Sequence, residues 1–179
     1  MSQTYTPGDL ASAGKKHFEN GDFGDAARSY EAAAEGYRMA GDAINAAEMA
    51  NNRSVCLLEL GEAEEALNAV EGTPELFAEI GDSHRQALAY GNQAAALQAL
   101  GRVDEAEAHY LQSADLLEQV GEDQLRATVL RSLSEMQLRS GRAIDAVISM
   151  QDGVSGVKKP RAQQRIIKKL LQMPNRFLG

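Results

Sequence analysis

The chain has 179 residues, a net charge of −8, four prolines, one cysteine and no tryptophan. That length suits one domain, and a single cysteine excludes an internal disulfide framework and fits a reducing, cytoplasmic setting. The polar start, Met1 to Asp9, does not read as a signal peptide, and no apolar run reaches the roughly 18 residues of a membrane span.

The net charge hides an asymmetry. Residues 1–157 carry all 26 acidic residues and 11 of the 18 basic ones, a net of −15; residues 158–179 carry the other seven basic residues and no acid, a net of +7. An acidic body repels phosphates, so nucleic acid is not the expected ligand. The basic tail is a separate element.

Seven glycines stand twenty residues apart, at Gly21, Gly41, Gly61, Gly81, Gly101, Gly121 and Gly141. Each interval holds one helix of about four turns and a tight turn. The spacing predicts helices over 7–20, 24–40, 42–60, 63–71 with a short 74–80, 83–100, 104–119, 122–140, 143–152 and 160–173. Pro74 must interrupt the fourth of these near Gly72. Pro7 and Pro160 suit first helical turns, and Gly153 to Gly156 reads as a linker. The division that follows is a repeat body over 1–157 and a basic amphipathic helix and tail over 158–179.

The true period is 40. One kind of turn precedes an acid–alanine pair, Asp25-Ala26, Glu65-Ala66, Glu105-Ala106 and Asp145-Ala146. The other kind reads Gly41-Asp42, Gly81-Asp82 and Gly121-Glu122, where the acid can cap the next helix. Gly14, Ser54, Ala94 and Ser134 form a small column, Ala47, Ala87 and Ala127 another, and Tyr30, Val70, Tyr110 and Met150 a bulky one. Small columns let paired helices approach closely, and the bulky column fills the space between pairs.

With these columns the chain resembles the tetratricopeptide repeat family, in its 40-residue, long-helix variety. The first unit shows the pattern in Gly14, Gly21, Phe23, Ala26, Tyr30 and Ala33, and the third in Ala94, Gly101, Val103, Ala106 and Tyr110. The resemblance covers about residues 8–152 as four units. It implies an all-α chain: a right-handed α-α superhelix (TPR-like solenoid) of four helix-turn-helix units plus a C-terminal capping helix. The family's closing proline is replaced here by Gly-Asp turns. The lysine of its carboxylate clamp falls on Ala11, so that mode of binding is not reproduced.

Catalysis finds no constellation. His17, His84 and His109 fall in three different columns, without a His-x-x-x-His pair, so neither metal nor cofactor is expected. Cys56 sits among Val55, Leu57 and Leu58 and reads as a small buried hydrophobe. The family's groove, carried over by position, is lined by Lys15 and Glu19; by Glu48, Asn51, Asn52, Val55 and Glu59; by Leu88, Gly91, Asn92, Ala95 and Gln98; and by Thr128, Arg131, Glu135 and Arg139. Asn52 and Asn92 share one column, and an asparagine amide can hold a peptide backbone in either sense. The plain alternative is a set of solvated polar residues on helices.

The expected function is therefore a non-catalytic protein–protein interaction module that binds a peptide or helix in its concave groove. The alternative is a membrane-peripheral or self-assembling scaffold acting through the basic C-terminal helix. In that helix Ile166, Ile167, Leu170, Leu171 and Met173 form an apolar stripe flanked by Arg161, Arg165, Lys168 and Lys169. The stripe either caps the last unit or lies on anionic lipid with Phe177 and Leu178 as added anchors.

Overall fold

The computed structural model describes residues 5–155, and the helix expected over 160–173 lies outside them. The described chain is helical throughout: α1 (Pro7–Asn20), α2 (Phe23–Met39), α3 (Ala43–Glu59), α4 (Ala63–Val70), α5 (Thr73–Glu79), α6 (Ser83–Ala99), α7 (Val103–Gln119), α8 (Asp123–Arg139) and α9 (Ala143–Ser155). No strand occurs among these residues. Successive helices pack as pairs, α1 with α2 and α3 with the broken α4–α5 in one part of the chain and α8 with α9 in another. Two compact units divide inside α7, one ending at His109 and the other starting at Tyr110.

The turns follow from the glycines. At Gly21 the backbone enters the left-handed region (φ 81°), and the chain closes by Gly21 N–H donating to the Phe18 carbonyl and Asp22 N–H to the His17 carbonyl. Only glycine takes that conformation without a side-chain penalty. The six glycines that follow it at twenty-residue steps share the conformation. The helix starts differ. Asp42 and Asp82 accept from the backbone N–H of Asn45 and Arg85 at 3.1 and 2.9 Å, as expected of N-caps. Glu122, one methylene longer, makes no such cap bond. Thr6 and Asp9 form a reciprocal capping box ahead of α1.

The core is built on alanine. In the first unit Ala26, Ala27, Tyr30, Ala33, Ala34, Met49, Cys56, Leu57, Ala66 and Ala96 form one buried cluster. The small column is buried at Gly14, Ser54, Ala94 and Ser134. Gly14 shows why: a methyl group there would lie 2.9 Å from the Tyr30 ring of α2. Gly14→Ala should cost about 1–2 kcal/mol, an overpacking penalty partly offset by better helix propensity. Urea denaturation checks it, and a stabilised variant would show that Tyr30 yields without strain.

One expectation about the helix ends holds and another fails. The interruption near Gly72 is present, between α4 and α5. The segment from Gly153, expected as a linker, instead continues α9 to Ser155. Gly153 and Val154 are buried, and a Cβ at Gly153 would stand 3.0 Å from the Leu130 Cβ of α8. Glycine serves close helix packing there, not flexibility.

Candidate functional site

The first helices of repeats two and three, α3 and α6, pack side by side in the first compact unit. They carry the largest group of expected groove residues. On α3, Glu48, Asn52 and Val55 are half-buried and Glu59 is exposed; on α6, Leu88 is exposed and Gly91, Asn92, Ala95 and Gln98 are half-buried. Arg85 of α6 ties the two helices together. It stands 3.1 Å from Glu48 and 3.4 Å from Asp82. Elsewhere the expected residues form pairs along single helices, Lys15 with Glu19 on α1 at 3.9 Å and Arg131 with Glu135 on α8 at 3.8 Å. Thr128 donates to the Gln124 carbonyl of its own helix.

The asparagines have different roles. Asn51 is 7% exposed and donates to the Ala47 carbonyl and to Thr73 Oγ1, both at 3.0 Å. Asn92 donates to Asn51 Oδ1 at 3.1 Å. Asn51 is thus a buried structural amide and offers nothing to a ligand, while Asn92 has half its capacity engaged. Asn52 is half-exposed, and its amide has no hydrogen bond among the described residues.

This network exists because of the helix break. A helix end leaves its last carbonyls without partners. At Val70 the carbonyl accepts from Thr73 Oγ1 at 2.9 Å and from Gln93 Nε2 at 3.0 Å. Gly72 makes the reversal with φ 74°, and Pro74 starts α5 where a missing N–H costs nothing. Beside the break lies a cleft of about 540 Å³, walled by α4, α5, α6 and the start of α7. Glu64, Glu71, Glu75, Gln93, Arg102, Glu105 and His109 all line it.

The repeat geometry is matched by known proteins. The tetratricopeptide repeat profile matches residues 85–159. A crystal structure of a Podosopora anserina protein, assigned as a kinesin light chain with nearly identical TPR-like repeats, superposes with a TM-score of 0.72. It covers 94% of this chain and 92% of its own at 16% identity, so the likeness is one of fold. The tetratricopeptide repeat likeness in sequence therefore spans residues 85–159, and the described chain as a whole shares the TPR-like fold. No curated protein matches the sequence.

In this helical repeat chain Cys56 and His109 are built into the scaffold. Cys56 is fully buried, its Sγ donates to the Asn52 carbonyl at 3.3 Å, and burial pushes its thiol pKa up, so it stays protonated at neutral pH. His109 stacks on Tyr90 with ring centroids 5.4 Å apart, and burial lowers its pKa. No group of three or more His, Cys, Asp or Glu side chains among the described residues could hold a metal ion. No helix among them is long and apolar enough to cross a membrane.

Three contributors were not visible in the sequence. Arg85, Gln93 and Arg126 each bond to an element other than their own. Arg126, 8% exposed, holds Asp152 at 2.6 Å and Glu118 at 3.4 Å in the second unit. Gln93 could have been suspected, since a polar residue next to the small column at Ala94 needs a buried partner. Residues 158–179, with Arg165, Ile166, Ile167, Lys168, Lys169, Leu170 and Leu171, lie outside the described residues.

Proposed function

We propose that this chain is a non-catalytic module that binds a peptide or a short helix of another protein across the face formed by α3 and α6. Tetratricopeptide repeats generally mediate protein–protein interaction. The observation that carries the reading is the unengaged amide of Asn52 beside apolar positions. Val55, Leu88 and Ala95 offer accessible apolar surface, and Asn52 offers a donor and an acceptor for a main-chain amide. The Glu48–Arg85 pair would fix the charge pattern that a ligand must meet at one edge.

Selection of displayed peptides on the full chain tests this. A selected peptide should lose at least tenfold in affinity against an Asn52→Ala, Leu88→Glu variant whose melting temperature is unchanged. Selection that yields no binder, or a binder indifferent to both substitutions, overturns the reading.

We further propose that residues 1–157 form the repeat body and that residues 158–179 serve as its cap. α9 supports this. Ile144, Val147 and Ile148 stand at helical spacing on one exposed face, with Ile144 78% accessible. The last unit of a stack needs its outer face covered. Deleting 158–179 should lower the melting temperature by several degrees. An unchanged melting temperature, with salt-sensitive binding of the full chain to anionic vesicles, would instead favour the peripheral-membrane scaffold.

A further inference from the structure

The cleft beside the α4–α5 break is lined by residues other than those proposed for the α3–α6 face, and carboxylates are the commonest side chains in its lining. Glu64, Glu71 and Glu75 make no salt bridge among the described residues. Arg102 is already held by Glu105, with Nε to Oε1 at 2.8 Å and Nη2 to Oε2 at 2.7 Å. His109 adds no fixed positive charge, because burial favours its neutral form, and its Nδ1 is buried without a hydrogen bond. Gln93 is about nine-tenths buried. Its Nε2 is committed to the Val70 carbonyl, and its Oε1 receives no hydrogen bond among the described residues. The unengaged polar groups of the cleft are thus mostly acceptors, three carboxylates and the Gln93 amide oxygen, with the Asn68 amide beside them. Leu67 and Leu97 supply apolar wall beside them. At about 540 Å³ the space fits a long side chain with its flanking main chain.

Acceptors of this kind call for a ligand that brings several donors and a positive charge. A guanidinium offers five N–H donors in a planar fork, sheds water more readily than an ammonium, and carries an aliphatic stem for the leucines. We propose that the cleft beside Gly72 is a receptor for an arginine side chain on a partner peptide, its guanidinium held by Glu71, Glu75 and the Gln93 amide oxygen. The inference rests on the reading of the chain as a peptide-binding module, but it places a second contact on different residues.

The probe is fluorescein-labelled tetra-arginine, titrated by anisotropy against the full chain at two salt concentrations. Glu71→Gln with Glu75→Gln should weaken binding at least tenfold. A control, Glu79→Gln with Asp115→Asn, removes two exposed acids outside the cleft and should change it less than twofold. Tetra-lysine should bind more weakly than tetra-arginine. Equal losses from the cleft and control variants would reduce the effect to the general negative charge and overturn the proposal. So would equal binding of the two cationic probes. All four substituted acids are exposed, and thermal melts confirm that the variants fold. If the cleft variants leave tetra-arginine untouched while Asn52→Ala, Leu88→Glu still disables a displayed peptide, the cleft fails and the α3–α6 reading stands. The reverse pattern retires the α3–α6 face and keeps the cleft.

Discussion

Replacing Asn51 with Ala should destabilise the protein by about 3 kcal/mol. Asn51 gives hydrogen bonds to Ala47 and Thr73 and accepts one from Asn92. Each is worth about 1 kcal/mol net, and the larger effect comes from what is left behind. Without Asn51, Thr73 Oγ1 loses its donor in a buried site and Asn92 loses its acceptor. For a chain of this size the change corresponds to a fall of roughly 6–12 °C in melting temperature. Asn52→Ala, one residue along the same helix, should stay within about 0.5 kcal/mol. Paired thermal and urea melts check both. Similar melts for the two variants would show that the buried network is not what holds the break together.

The second large effect is expected at Asp152. Its carboxylate and its carbonyl both meet Arg126, at 2.6 and 3.1 Å. Asp152→Ala leaves the Arg126 charge buried, with Glu118 at 3.4 Å as its remaining partner. Stripping one member of a fully buried pair costs about 3–5 kcal/mol. Asp152 is itself half-exposed and Glu118 compensates in part, so about 2 kcal/mol is the expected loss. Arg126→Met in the same background removes the stranded charge and keeps the volume. The double variant should therefore be more stable than Asp152→Ala alone, by urea denaturation. A double variant less stable than the single one would mean that Arg126 contributes through packing and its bond to the main chain, not as a stranded charge.

The helices were legible because their signals are local and repeated. A glycine just past each helix end and a fixed small column leave little freedom, and the boundaries up to Arg139 agree within one residue. The interruption at Gly72 was legible for the same reason, since Pro74 forbids an unbroken helix. What the sequence hid are contacts that fall off the 40-residue period. Asn51 meets Thr73 at a separation of 22, Gln93 meets Val70 at 23, and Arg126 meets Asp152 at 26. Columns place Asn51 with Ala11, Gly91 and Arg131, which gives no sign that one member of the column is buried against a helix end. Gly153 misled by composition: a Gly-x-Ser-Gly string reads as a linker until the Leu130 side chain against it is known. The candidate groove was legible only as a set of helix faces, because column position says which side a residue is on and not whether its polar atoms are already engaged.

The break in repeat two also limits how the array can be rearranged. Ideal repeats are interchangeable modules, and a consensus array can be shortened, extended or reordered at will. Repeat two is not such a module. Its freed carbonyl at Val70 depends on Gln93, which belongs to repeat three, and its own Asn51 is the acceptor for Asn92, also of repeat three. The equivalent positions in repeats one and four are Ala13 and Leu133, and Ser12 and Ser132. Moved next to either, repeat two would keep its kink and lose the amides that make the kink tolerable. These polar contacts work as an address: they tell the second repeat which neighbour must follow it, information that the hydrophobic columns, being nearly the same in every unit, do not carry.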